Sequence, residues 1–272
     1  MTTTTLDPME AVARTRPRNT LGETIAQTLA MAWRATKKMR RNPEQFIDVT
    51  VQPILFTVMF AYIFGGAISG DVESYLPLMI PGILAQTVLT TSMATGVQLR
   101  EDMDKGVFDR FKSLSMARIA PLAGPMVADL LRYTIASTLT FLMGIAVGYR
   151  PGGGVVGVLG AILLSIFVGW SLAWVFTWLG TVARSAQSVQ GLSMMILFPL
   201  TFLSNAFVPV DTLPGWLAGF VKVNPVSHLV SAARDLANHA ELTAEVGWTL
   251  IAGVAVIVVF APLSVWSYKR HL

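Results

Sequence analysis

The sequence has 272 residues, of which 53% are hydrophobic and only 13% are charged, and its formal net charge is +4. Soluble domains carry about 25% charged residues, so this composition excludes an ordinary soluble domain and indicates an integral membrane protein. The absence of cysteine excludes disulfides and thiolate chemistry, and the basic residues flank apolar stretches, which favours a membrane protein over a nucleic-acid-binding one.

The N-terminal region is predicted to contain a tail and one amphipathic helix. Residues 1–19 are polar and are followed by no apolar core of a signal peptide, so we expect a disordered cytoplasmic tail. Residues 20–41 end in a basic stretch before Asn42-Pro43, a dipeptide that breaks helices. This pattern predicts a helix lying in the cytoplasmic membrane interface, and a calmodulin-target-like helix is the alternative. Its predicted apolar face contains Leu21, Ile25, Leu29, Ala32 and Trp33.

Six apolar segments follow, each near the ~20 residues that cross a ~30 Å hydrocarbon core. They cover residues 49–68, 76–98, 129–149, 155–181, 188–208 and 246–268. Because backbone amides in lipid need partners within the chain, we predict an all-α integral membrane fold with six transmembrane helices. With the N-terminus inside, 16 of the 20 lysine and arginine residues fall in cytoplasmic segments, so both termini are expected to be cytoplasmic.

The third segment contains two charged residues, Asp129 and Arg132. Their i,i+3 spacing lets them pair on one helix face. We expect them near the cytoplasmic end of the span, facing other helices or snorkelling towards water. A role in proton transport is the alternative.

The loop at residues 99–121 combines charges of both signs with an apolar stripe. Val107, Phe111 and Leu114 recur at i, i+4 and i+7, with Phe108 beside them. This pattern predicts a short cytoplasmic helix that docks into a partner protein. The alternative is a helix lying on the membrane surface.

The segment at residues 209–234 contains apolar runs too short to span a bilayer. We predict a re-entrant outside segment before the last span. An amphipathic loop on the outer leaflet is the alternative. Leu213, Trp216, Leu217 and Phe220 share one face at helical spacing.

Two motifs resemble those of ABC-2 type permeases, and the resemblance covers residues ~20–270. Lys105–Arg118 is similar to the signature loop of the family's daunorubicin/doxorubicin-resistance group. Asn224–Arg234 resembles the outside Asn-Pro motif that precedes the last span. The wider family has a Gly-Thr-x-Glu-x-Leu version of the loop, whereas this chain has Gly106-Val-Phe-Asp-Arg-Phe and Ser115 where proline is common. These departures favour the drug-resistance branch over polysaccharide exporters.

The resemblance implies that residues 20–272 form an ABC-2 transmembrane domain in a bacterial cell membrane. Two such permeases would dimerise, as a homodimer or with a related permease, and each would dock one ABC ATPase subunit through the loop. ATP and Mg would bind that partner, because this chain contains no P-loop. No catalytic or metal-binding motif is present in the sequence. The expected coupling residues are Glu101, Lys105, Gly106, Val107, Phe108, Arg110, Phe111 and Leu114.

The outside motif is expected to help close an outer gate. Pro225 restricts Asn224 to extended or turn geometry, and Ser227 is predicted to cap the helix that follows. Arg234 is expected to pair with an outside carboxylate or a lipid headgroup.

The resemblance also assigns a substrate path to spans two and five, at the dimer interface. Hydroxyls and amides there offer weak hydrogen bonds without the cost of burying a charge, and methionine and phenylalanine offer adaptable apolar contacts. Alternatively, these hydroxyls only join helices or bond carbonyls one turn away. The expected path residues are Thr87, Thr91, Thr95, Met195, Phe198, Phe202 and Asn205.

We therefore expect the permease half of an ATP-driven exporter for an amphipathic drug, natural product or lipid. An ion-coupled secondary transporter is one alternative, for which only Asp48 and Asp129 are candidate intramembrane carboxylates. A membrane protein that does not transport is the other.

Overall fold

The computed structural model describes residues 20–41, 43–107, 117 and 119–270. All regular elements in these ranges are helical, which agrees with the predicted all-α class. Besides a 3₁₀ turn at Val210–Thr212, the helices are α1 (Leu21–Arg41), α2 (Pro43–Ser69), α3 (Val72–Asp104), α4 (Ala120–Val147), α5 (Gly154–Val182), α6 (Ala186–Phe202), α7 (Gly215–Val223), α8 (Pro225–His239) and α9 (Ala244–Arg270).

Five helices of the described ranges, rather than six, are long and apolar enough to cross a membrane. Their apolar stretches are Val49–Ser69, Val72–Asp104, Ala120–Val147, Gly154–Val182 and Ala244–Tyr268. The predicted fifth span at 188–208 differs, because α6 ends at Phe202 after 17 residues. Such a helix is about 26 Å long, short of the ~30 Å hydrocarbon core, and residues 203–208 continue as bends.

Helix α4 begins earlier than the hydropathy pattern indicates. It starts at Ala120, with Pro121 in its first turn, where a proline costs no helical hydrogen bond. Asp129 and Arg132 therefore lie in the interior of α4 instead of at its cytoplasmic end. This is a correction to their expected position, because residues 120–127 (APLAGPMV), which have no polar side chain, also belong to the helix.

Helix α3 forms the centre of the bundle and packs against α2, α4, α5, α6 and α8. Small residues allow its closest approaches. A Cβ added to Gly82 would lie 2.1 Å from the carbonyl oxygen of Ala206, and one added to Gly96 would lie 2.2 Å from that of Phe176. Glycine at such positions brings backbones into direct contact, as is common between membrane helices.

Helix α1 begins with a capping box, in which Thr20 N donates to Glu23 Oε2 at 2.8 Å and Glu23 N donates to Thr20 Oγ1 at 3.3 Å. It packs on α4 through Met31, Ala32 and Met39, all of which are buried. The predicted helix is therefore present, but Ala32 lies on its packed side and not on its exposed apolar face.

The outside segment forms two short helices, α7 and α8, which meet at Asn224. The predicted apolar runs at 212–221 and 226–233 thus become helical for most of their length. Trp216 and Phe220 of the predicted apolar face are exposed, and Leu213 and Leu217 are half-buried. How deeply this segment enters a bilayer remains a prediction.

Candidate functional site

A lateral groove of about 270 Å³ opens between α2, α3 and α6. Its walls are apolar except for a few amide and hydroxyl groups. Gln52 Nε2 lies 3.5 Å from Thr90 Oγ1, and Gln86 Oε1 accepts no hydrogen bond from the described residues. An amphipathic molecule could therefore find apolar contact and a few amide and hydroxyl groups here. The lining residues are Gln52, Phe56, Gln86, Leu89, Thr90, Met194, Leu197, Phe198, Thr201 and Phe202.

Aromatic rings continue from this groove towards α2. The rings of Phe198 and Phe202 stack with centroids 4.4 Å apart. Phe202 lies 5.7 Å from Phe207, which stacks on Phe60 at 4.5 Å. Phe198 and Phe202 are exposed, whereas Phe207 and Phe60 are buried behind them, so two aromatic rings are open to a planar apolar ligand.

Of the residues expected on α6, Phe198 and Phe202 line the groove, and Met195 is exposed beside it. Asn205, after the end of α6, is buried, and its Nδ2 donates to Ser231 Oγ at 2.8 Å. Asn205 therefore belongs to the packing of α8 in this conformation.

The structure corrects the expected placement of Thr87, Thr91 and Thr95 on the path, because all three side chains are buried within the subunit. Thr91 Oγ1 donates to the carbonyl of Thr87 at 2.8 Å, the local bond that was the alternative. Thr95 Oγ1 donates to Asp129 Oδ2 at 2.5 Å. Helix α3 is covered on nearly every side, so spacing alone could not identify which face meets the groove. Gln86 and Thr90 line it instead.

Asn224 joins α6 to α8 through both ends of its side-chain amide. Its Oδ1 accepts from Val226 N at 2.9 Å and so caps α8. Its Nδ2 donates to the last carbonyls of α6, at 2.7 Å to Leu200 O and 3.0 Å to Leu203 O. The expected cap, Ser227, is wrong: α8 begins at Pro225, which leaves Ser227 inside the first turn, and Ser227 Oγ bonds to none of the described residues.

Arg234 binds backbone carbonyls, so its expected pairing with a carboxylate is also wrong. Its guanidinium donates to Leu78 O at 3.1 Å and to Asn205 O at 2.9 Å. Arg234 is buried against α3, away from carboxylates in the aqueous phase. Two backbone carbonyls accept its hydrogen bonds in place of a carboxylate.

Asn238, one turn after Arg234, also binds a backbone carbonyl of α3. It was not among the predicted site residues. Pro81 has no amide hydrogen, so the carbonyl of Pro77 lacks its helical donor. Asn238 Nδ2 supplies one at 3.0 Å. Tyr149 in turn donates to Asn238 Oδ1 at 2.5 Å. Burial raises the pKa of Tyr149 to about 12, so its phenol remains a donor at neutral pH. We call Asn205, Asn224, Arg234 and Asn238 the outer collar.

A second polar cluster lies between α3 and α4. Arg132 Nη1 donates to Asp129 Oδ1 at 3.0 Å, and both side chains are at most 5% exposed. Together with the Thr95 hydrogen bond, this ion pair occupies both oxygens of Asp129. The predicted i,i+3 pairing is confirmed.

The structure describes the cytoplasmic loop at residues 99–107, 117 and 119–121. Lys105 Nζ and Glu101 Oε2 form an ion pair at 3.1 Å. Gly106 has φ of +65°, a left-handed conformation that glycine adopts most easily and that commonly follows a helix end. The remaining predicted coupling residues, Phe108, Arg110, Phe111 and Leu114, lie outside the described ranges.

Comparison with known proteins adds to this geometry. Residues 26–237 match the family described as ABC-2 type transporter. The chain is 40% identical over 246 residues to a daunorubicin resistance ABC transporter permease protein of Streptomyces coeruleorubidus, covering 90% of this chain and 87% of that protein. It is 27% identical over 275 residues to a probable doxorubicin resistance ABC transporter permease protein of Mycobacterium tuberculosis (strain CDC 1551 / Oshkosh), covering 99% of both. It is 22% identical over 220 residues to an inner membrane transport permease of Escherichia coli (strain K12), covering 73% of this chain and 78% of that protein.

Proposed function

Because this chain belongs to the ABC-2 type transporter family, we propose that it is the permease of an ATP-driven exporter of amphipathic molecules. The observation that carries the proposal is the groove between α2, α3 and α6, where apolar and aromatic walls surround a few weak hydrogen-bonding groups. A drug, a natural product or a lipid has this mixture of surfaces. The name of the Streptomyces relative, a daunorubicin resistance permease, favours a hydrophobic drug with a planar aromatic part.

Two copies of the chain would face each other across their grooves. Helix α6 supports this arrangement, because it exposes Met195, Phe198 and Phe202 on the side of the groove. A second copy would bury these side chains and close the groove into a path between two subunits. A related permease in place of the second copy would serve the same purpose.

Energy would come from an ABC ATPase on a separate chain, which would bind ATP and Mg. The cytoplasmic end of α3 leads directly into the predicted docking loop, and α3 also lines the groove. Docking at the loop could therefore move a wall of the path. Phe111→Asp should release the ATPase from membranes, since burial of a large aromatic at an interface commonly contributes ~2 kcal/mol or more. If the variant still retains the ATPase at wild-type strength in a pull-down, the docking site lies elsewhere.

Both termini would lie in the cytoplasm, with α6 and residues 203–208 together crossing the bilayer as the sixth span and α7–α8 re-entering from outside. The Asn224 bonds to Leu200 O and Leu203 O support this arrangement, because they supply donors to carbonyls that would otherwise lack them in lipid.

The ion-coupled alternative has less support. A carboxylate that carries ions should face the transport path and exchange its partner. Asp129 is buried against Arg132 and Thr95 and does not line the groove. The side chain of Asp48 lies outside the described ones.

Tryptophan substitutions test the groove. Thr90→Trp, Phe198→Trp and Met195→Trp should block export or change substrate preference, while basal ATPase activity of the complex with its partner survives. Leu159→Trp is the matched control, because Leu159 is an exposed apolar residue on α5, away from the groove. Normal export by all three variants would show that the path runs elsewhere.

A further inference from the structure

Helix α1 carries an exposed ridge whose chemistry changes along its length. Residues four positions apart form a continuous ridge on a helix. The ridge begins with three exposed apolar side chains, reaches Trp33, which is 70% exposed, and then continues with two exposed cations. An exposed apolar ridge that ends in an aromatic ring and cations is typical of a helix that lies in a membrane interface. Its members are Leu21, Ile25, Leu29, Trp33, Lys37 and Arg41.

The cationic end of this ridge borders an open concavity of about 600 Å³. Among the residues that the structure describes, four cations and one aromatic ring form its lining. Cations grouped around a concave surface attract an anion more strongly than separate ones. The lining residues are Trp33, Arg34, Lys37, Lys38 and Arg41.

The carboxylates at the neighbouring end of α3 already have partners. Asp102 pairs with Lys38 at 2.8 Å, and Glu101 pairs with Lys105. Asp104 pairs with Arg100. Among the side chains that the structure describes, which do not include those of Glu44 and Asp48, none forms an ion pair with Lys37 or Arg41. Both cations are exposed at the concavity.

We propose that the concavity bounded by Trp33, Lys37 and Arg41 binds the headgroup of an anionic phospholipid of the cytoplasmic leaflet. The phosphate of the headgroup contacts the cations, and the exposed ring of Trp33 lies beside the bound lipid. Because α1 packs on α4 through Met31 and Ala32, the bound lipid fixes the depth of α1 against the bundle. An acidic surface of the ATPase is a different occupant, and the test below distinguishes it.

Brominated lipids provide the experiment. The full chain is placed in nanodiscs of phosphatidylcholine with a fixed minor fraction of chain-brominated phosphatidylglycerol or, in parallel, of chain-brominated phosphatidylcholine. Subtracting the Trp33→Phe signal isolates the fluorescence of Trp33 from the other six tryptophans. Brominated phosphatidylglycerol should quench Trp33 more strongly than brominated phosphatidylcholine, and the excess should shrink at high salt. Free phosphate would produce no such quenching.

Variants complete the test. Lys37→Gln and Arg41→Gln should each weaken the phosphatidylglycerol preference about fivefold, the effect of one cation near an anionic surface. Lys37→Arg should retain it. Arg184→Gln, an exposed cation outside the concavity, should leave it unchanged. Equal quenching by both lipids overturns the proposal. So does a pattern in which the Gln variants retain the lipid preference but lose capture of the ATPase. These readouts require neither transport nor ATP hydrolysis, so they are independent of the proposed function.

Discussion

At the scale of single residues, the outer collar shows how one amide can serve two helices. Asn224 caps α8 and also donates to the last carbonyls of α6. Asn224→Ala should lower the free energy of unfolding by about 2 kcal/mol, the sum of a lost cap and unsatisfied carbonyls. The matched control is Ser227→Ala, which removes a hydroxyl bonded to none of the described residues. Thermal unfolding in detergent would compare them, and equal melting temperatures would contradict the assigned cap.

The buried ion pair permits a second prediction at this scale. Arg132→Met alone should destabilise the protein by ~3–5 kcal/mol, because it leaves Asp129 charged and buried. The double variant Asp129→Leu with Arg132→Met should recover most of that loss, since it removes both charges. Unfolding measurements on the single and double variants test the coupling. If the losses of stability of the single variants simply add in the double variant, the two side chains do not act as a pair. If the double variant also exports substrate, Asp129 is not an ion carrier.

At the scale of elements, the contact between α3 and residues 203–208 depends on the absence of a side chain. Gly82→Ala should disrupt this contact, because the new Cβ would lie 2.1 Å from a backbone oxygen that cannot rotate away. Gly66→Ala on α2 is the control, since nothing lies within 4 Å of its added Cβ. We expect reduced accumulation and a lower melting temperature for Gly82→Ala only. A Gly82→Ala protein as stable as wild type would mean that the two segments are not in contact.

At the scale of the whole molecule, the proposed topology can be tested with single cysteines, because the chain has none of its own. An impermeant thiol reagent applied to intact cells should label Thr212→Cys and spare Thr15→Cys and Ser115→Cys. In inside-out vesicles the pattern should reverse, so that Thr15→Cys and Ser115→Cys are labelled and Thr212→Cys is not. Labelling of Ser115→Cys in intact cells would exclude the proposed arrangement of six spans.

The sequence predicted the fold better than it predicted the site. Hydropathy identified the helices because the length of an apolar run is a local property. It did not show that the fifth helix ends at Phe202, because residues 203–208 continue the apolar run without being helical. The site depends on helix rotation and on distant partners. Thr91 and Thr90 are adjacent in the sequence, yet only Thr90 faces the groove. Asn238 could have been noticed, since it lies one turn after Arg234 on the same face of α8.

The bond between Asn238 and Pro77 also has a consequence for biogenesis. The two residues are 161 positions apart, and Arg234 follows its acceptor Leu78 by 156. While the ribosome is still synthesising the middle of the chain, α3 is already in the membrane with the carbonyl of Pro77 lacking its helical donor. A nascent chain that stops before α8 would keep this polar group exposed to lipid. Quality-control proteases that recognise polar groups in a bilayer could then distinguish truncated chains from complete ones.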